Sequence, residues 1–121
     1  MKITGFNPVI VSSKSEDIVK LFEELGFEKR HHNEEVEDRH SYRMKDAGGF
    51  YIDVVQNDEA EQDHTVIRVN VDDFDAAHDI LEAHGFKDGP RVLDVKSSKS
   101  MGMISSSGFV IGLVEHKKNH E

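Results

Sequence analysis

The sequence has no cysteine and no tryptophan, and only two prolines and two tyrosines. Without cysteine there is no disulfide, no thiolate nucleophile and no cysteine-ligated zinc. That absence suits a reducing compartment, and a cytoplasmic location is expected. No apolar run approaches the roughly 20 residues needed to span a bilayer, so no membrane partner is expected. The opening "MKITGFNPVIVSS" also lacks the apolar segment of a secretory signal. Positive charge is scarce: 15 Lys and Arg stand against 24 Asp and Glu, a formal charge of −9. A chain so acidic repels phosphate backbones, which argues against a nucleic-acid partner. What remains is 36% hydrophobic over 121 residues, enough for one ordinary domain with a core.

The chain says the same thing twice. "GGFYIDVVQ" (48–56) is echoed by "SGFVIGLVE" (107–115), and "LFEELGFEK" (21–29) by "ILEAHGFKD" (80–88). Gly49 and Gly108 lie 59 positions apart, and so do Gly26 and Gly85, Phe27 and Phe86, and Ile52 and Ile111. Two separate blocks sharing one offset indicate an internal duplication of a supersecondary unit. The reading is a single domain, 1–121, made of module 1–57 and module 64–121, with the acidic "NDEAEQD" (57–63) between them.

Within each module the order predicted is β-α-β-β-β. In the first, "GFNPVIVSS" (5–13) reads as a strand. A helix follows, with Ser13 and Glu16 at capping-box spacing. Ile18, Leu21, Phe22 and Leu25 form its apolar stripe, and Gly26 ends it. Strands are expected at 27–33, 41–46 and 50–56. In the second module, 65–71 is a strand, and Asp72 or Asp73 caps a helix. That helix presents Phe74, Ala77, Ile80 and Leu81 and stops at Gly85. "RVLDV" (91–95), "SMGMIS" (100–105) and "FVIGLVE" (109–115) complete it. "SSKSMG" (97–102) reads as a polar loop, and "HKKNHE" (116–121) as a polar tail.

Two such modules, each with a helix-Gly-Phe junction and a closing Gly-Phe-x-Ile strand, resemble the vicinal oxygen chelate superfamily. That group includes glyoxalase I, bleomycin resistance proteins and extradiol dioxygenases. The resemblance covers nearly the whole chain and implies an α+β fold. Its two modules would form a curled mixed sheet around a cleft. It also implies homodimerisation, the commonest closed symmetry. In metal-dependent members the first, fourth, fifth and eighth strands each give one metal ligand. Laid on that pattern, this chain offers Phe6, Asp53, Val66 and Gly112. Only Asp53 has a donor side chain, and one carboxylate does not hold a divalent ion.

Strand residues alternate between faces. Phe50, Ile52 and Val54 are expected to pack on one helix, and Phe109, Ile111, Leu113, Ile67, Val69 and Val71 on the other. The opposite faces would line a cleft: Tyr51, Asp53, Val66, Arg68, Asn70, Val110 and Gly112, with His64 at its mouth. Such a surface, apolar with a few polar points, suits a small molecule. Each polar point also has a plainer role: Asp53 paired with Arg68, Tyr51 packing at the rim, Gly112 relieving a crowded crossing. His31 and His32 are adjacent and would face opposite ways; His78 and His84 fall on different sides of a helix. "DDFD" (72–75) lacks the later residues of a calcium loop and fits helix capping better.

Two functions follow as expectations. The first is a metal-free small-molecule binding protein with no cofactor, in which Arg68 selects an acidic or carbonyl-bearing ligand. The second is a glyoxalase-like lyase or isomerase of the lactoylglutathione lyase type. It would use a divalent metal held by displaced ligands, for which Asp53, His64 and Glu115 are the best set. No catalytic residue is assigned.

Overall fold

A computed structural model of the chain describes residues 1–30, 41–94 and 98–116. In chain order the elements are β1 (Ile3–Ser12), α1 (Ser15–Glu24), β2 (Glu28–Lys29), β3 (Ser41–Lys45), β4 (Tyr51–Gln56) and β5 (His64–Val71). After these come α2 (Phe74–Ala83), β6 (Lys87–Asp94), β7 (Ser98–Ile104) and β8 (Val110–His116). The strands form one open mixed sheet in the order β2-β3-β4-β1-β5-β8-β7-β6. The fold is α+β, with two helices. Two compact units make it up: Asn7–Thr65, and Met1–Phe6 together with Val66–Glu121. The first half of β1 thus belongs with the second unit.

The offset of 59 seen in the sequence relates the strand pairings that are described in both units. Val9 pairs with Asp53 in parallel, and Arg68 with Gly112; Arg43 pairs with Asp53 antiparallel, and Gly102 with Gly112. Both helices end alike. Gly26 (φ 110°) and Gly85 (φ 89°) take the left-handed conformation that glycine adopts without a Cβ penalty. Phe27 and Phe86 then donate their N–H to Phe22 and Leu81 five residues back, the Schellman closure. The Phe22 and Phe27 rings meet edge to face at 5.4 Å, which seals the first of these ends.

Each unit has its own core. In Asn7–Thr65, Val19 of α1 buries against Met44, Ile52 and Val54, with Ile10, Ile18, Phe22, Phe27 and Tyr42 packed around them. In the other unit, Phe74 and Ala77 of α2 bury against Val71, Met101, Met103 and Leu113, with Val69, Leu81 and Phe86 alongside. The alternation is as expected for Ile52 and Val54 on β4, Val69 and Val71 on β5 and Leu113 on β8, whereas Ile67 and Ile111 are only half-buried and Val114 on the opposite face is buried. Phe50 and Phe109, which the same alternation assigned to the cores, precede their strands and are exposed.

Several local expectations are corrected. In α1 the buried line runs through Ser15, Ile18, Val19 and Phe22, while Leu21 and Leu25 are exposed. In α2, Ile80 is likewise exposed. Leu21 and Ile80 are equivalent in the repeat, so the two helices turn the same position to solvent. Ser13 and Glu16 make no capping box: α1 begins at Ser15, and Lys14 gives no side-chain cap. Instead Gln56 Oε1 accepts from the Ser15 N–H and hydroxyl at 3.0 and 2.6 Å. "SSKSMG" is no loop, since Ser98–Gly102 lies within β7. β6 starts at Lys87, ahead of the expected 91, and its register shifts between Asp88 and Val92. The strand expected at 27–33 is described only as Glu28–Lys29; His31, His32 and the tail after His116 lie outside the described residues.

Candidate functional site

In the unit Asn7–Thr65, the sheet face away from α1 carries a buried polar cluster. Asp53 is 7% exposed and Asn7 is 5% exposed. A carboxylate taken that far from water needs a partner. Arg43, directly across on β3, supplies it: Nε donates to Oδ1 at 3.0 Å and Nη2 to Oδ2 at 3.2 Å. The two parallel bonds are the fork geometry that suits guanidinium and carboxylate. Asn7 Nδ2 donates to Oδ2 at 3.0 Å, and its Oδ1 lies 3.5 Å from Arg43 Nη2. Beside them Tyr51 takes Arg43 and Lys45 over its ring, at 5.1 and 5.3 Å from the centroid. By alternation Val9, Val11 and Val55 share this face.

In the repeat the equivalent of Val66 is Asn7, not Phe6. Phe6 is 65% exposed, while Asn7 points at Asp53. The ligand pattern that the resemblance implied would then fall on Asn7, Asp53, Val66 and Gly112. Applying the offset of 59 to Val66 would have found Asn7 from the sequence. Arg43 left no comparable signal, because its role depends on strand register.

The equivalent face of the other unit is nearly the inverse. Where the first has Asn7, Arg43, Lys45, Tyr51 and Asp53, the second has Val66, Gly102, Ile104, Val110 and Gly112. Where the first has Val9 and Val11, the second has Arg68 and Asn70, and Arg68 Nε donates to Asn70 Oδ1 at 3.1 Å. Asn70 lies over Gly5, whose missing Cβ would fall 2.9 Å from its Nδ2. Gly112 is not a response to crowding: a Cβ there would meet Val66 Cγ1 at 3.7 Å, an ordinary contact. At Gly102 a Cβ would meet nothing within 4 Å. This corrects the crowded-crossing reading of Gly112.

Two of the three displaced ligands, Asp53 and Glu115, are engaged elsewhere. Asp53 is engaged by Arg43. Glu115 Oε1 accepts from the Phe74 N–H at 2.7 Å, capping α2 as Gln56 caps α1. His64 is exposed at the start of β5. The second cap of α2 is Asp73, whose Oδ1 accepts from Ala76 N–H at 3.1 Å. Among the described residues, His78, Asp79 and Glu82 have ligand atoms within 4.8 Å of one another. His78 Nε2 already meets Asp88 at 2.6 Å and its Nδ1 faces Glu82 at 3.8 Å, a surface polar arrangement on α2. A depression of about 400 Å³ lies elsewhere, lined by Ser13–Asp17, Tyr42 and Gln56, where Gln56 has taken the helix amide.

No protein-family model matches the chain, and no curated protein matches it in sequence. Solved structures do match it in shape. A glyoxalase/bleomycin resistance protein/dioxygenase superfamily member from Vibrio splendidus aligns with a TM-score of 0.65 at 11% identity, over 94% of this chain and 99% of that one. Methylmalonyl-CoA epimerase from Mycobacterium tuberculosis aligns at 0.70 and 15% identity, over 96% and 90%. Glyoxalase I from Zea mays aligns at 0.74 and 16% identity, over 98% of this chain but only 45% of that one. The chain therefore has the vicinal oxygen chelate fold and spans about half the length of the maize enzyme. No helix among the described residues is long and apolar enough to cross a membrane.

Proposed function

We propose that this is a metal-free small-molecule binding protein of the glyoxalase/bleomycin resistance type, acting as a cytoplasmic homodimer. The observation that carries the reading is the Arg43–Asp53 contact. Asn7 and Asp53 stand at two of the four positions where metal-dependent relatives place ligands. There a guanidinium, itself a fixed cation, lies on both carboxylate oxygens. The other two positions, Val66 and Gly112, carry no donor. These residues do not fit a divalent ion, which needs several N or O donors of its own. A lyase or isomerase reading loses support for the same reason, and further because Glu115 is spent on α2. What remains on these faces is valine and glycine with a few fixed polar groups, which suits ligand capture. Elemental analysis of the purified protein tests the reading. Less than a tenth of an equivalent of nickel, zinc, iron or manganese is expected. A stoichiometric metal, removed by chelator together with methylglyoxal–glutathione isomerisation, overturns it. Sedimentation equilibrium tests the dimer, which fails if one-chain mass persists throughout the micromolar range.

A further inference from the structure

We propose that His78, Asp79 and Glu82 form a surface site on α2 for one divalent transition ion such as zinc. His78 and Glu82 stand at i and i+4 on the helix and so share a face. Asp79 follows His78. Each of the three brings one ligand atom, and these atoms lie within 4.8 Å of one another. The histidine separates this group from a plain acidic cluster. Imidazole nitrogen suits zinc, nickel and copper, whereas calcium and magnesium take oxygen.

A second observation comes from β6. Asp88 Oδ1 lies 2.6 Å from His78 Nε2. An ionised carboxylate only accepts, so Nε2 carries the proton of the neutral ring and Nδ1 keeps its lone pair. A carboxylate on one ring nitrogen is how proteins orient a histidine whose other nitrogen binds metal. Strand register sets this up: Asp88 is directly opposite Met103, a core residue that packs with Phe74 and Ala77 of α2, so Asp88 shares the face under the helix. Phe74 stacks on the imidazole at 6.0 Å between centroids and steadies its plane. Nδ1 then faces Glu82 Oε1 at 3.8 Å. Both atoms are acceptors, and the gap is too long for a hydrogen bond. One ion spans it, since zinc bonds of about 2.0–2.2 Å to each atom together reach about 4.2 Å. Asp79 and Glu82 are exposed, so both carboxylates have room to close on the ion, and water completes its coordination. Lys99, over the Phe74 ring at 4.5 Å, is turned to Asp75 at 3.7 Å. At the equivalent positions the first module has Val19, Lys20, Glu23 and Lys29, so this chemistry is present in one module only. The site shares no residue with the Asn7–Arg43–Asp53 cluster, and an ion held by exposed carboxylates exchanges with solvent and leaves on purification.

The test is a zinc titration of isotope-labelled, chelator-treated protein at about pH 7.5, followed by amide and imidazole NMR. Magnesium runs in parallel. Saturable shifts at His78, Asp79 and Glu82 are expected with zinc, and none with magnesium at the same concentration. Asp88→Ala is expected to weaken zinc about tenfold, and Glu82→Gln, at an exposed position, at least as much. His78→Gln is expected to abolish the shifts on α2, whereas His84→Gln on the same helix leaves them unchanged. No saturable zinc shift on α2, equal shifts with magnesium, wild-type zinc affinity in Glu82→Gln or Asp88→Ala, or dependence on His84 in place of His78 each overturn the proposal. Failure of the metal-free reading of the sheet face appears separately, as zinc shifts at Asn7 and Asp53.

Discussion

Arg43 and Asp53 stand directly opposite one another on β3 and β4 and close a two-point contact, Nε to Oδ1 at 3.0 Å and Nη2 to Oδ2 at 3.2 Å. The partners are unequally buried, with side chains 35% and 10% exposed. Removing the more exposed partner takes two charge-assisted bonds from the more buried charge. Arg43→Met is therefore expected to cost about 3–5 kcal/mol, and Asp53→Leu distinctly less, because the freed guanidinium reaches water. Urea denaturation of both variants checks the order. An equal or reversed ranking means that the carboxylate's other partners, Asn7 among them, are enough to satisfy it.

Glu115 is read here as a helix cap and not as a metal ligand. Glu115→Ala is expected to destabilise by about 1 kcal/mol, the usual loss for a cap. Glu115→Gln should retain most of that, since the repeat already uses Gln56 in the same place. Thermal unfolding of the two variants distinguishes them. A large loss of stability in Glu115→Gln would mean that the charge, not the hydrogen bond, matters.

The glycines separate into needed and unneeded. At Gly89 a Cβ would fall 2.6 Å from the Gly102 carbonyl oxygen, so Gly89→Ala must move backbone and is expected to cost about 1–3 kcal/mol. At Gly112 the nearest contact is an ordinary 3.7 Å, and Gly112→Ala is expected to be neutral or to stabilise by about 0.4–1 kcal/mol. Denaturation midpoints measure both. Marked destabilisation by Gly112→Ala would show that the open backbone there is structural after all.

Asp72 Oδ1 accepts the Lys2 backbone N–H at 2.7 Å, and this bond holds its pKa below the ordinary 3.8. A depressed carboxylate contributes stability above its unfolded pKa and loses it as pH falls through the folded value. The attachment of the first residues to the start of α2 is thus expected to be intact at neutral pH and to weaken only as the pH drops below about 4. Carboxyl titration by NMR, read with the Lys2 amide, checks this. Loss of the Lys2 signal perturbation above pH 5 would contradict it.

The sequence by itself determined the duplication, the β-α-β-β-β order and the C-terminal ends of the helices. Those depend on local chemistry: glycine at positive φ, phenylalanine after it, and alternation along a strand. It also determined that Val66 and Gly112 bring no donor. Tertiary structure decided how the helices are rolled, exposing Leu21, Leu25 and Ile80, because packing against a twisted sheet sets that angle. It decided that Gln56 and Glu115 cap helices 41 positions away in sequence. And it decided that Asp53 meets Arg43, because cross-strand neighbours are fixed by register, which pairing of backbones sets and composition does not record.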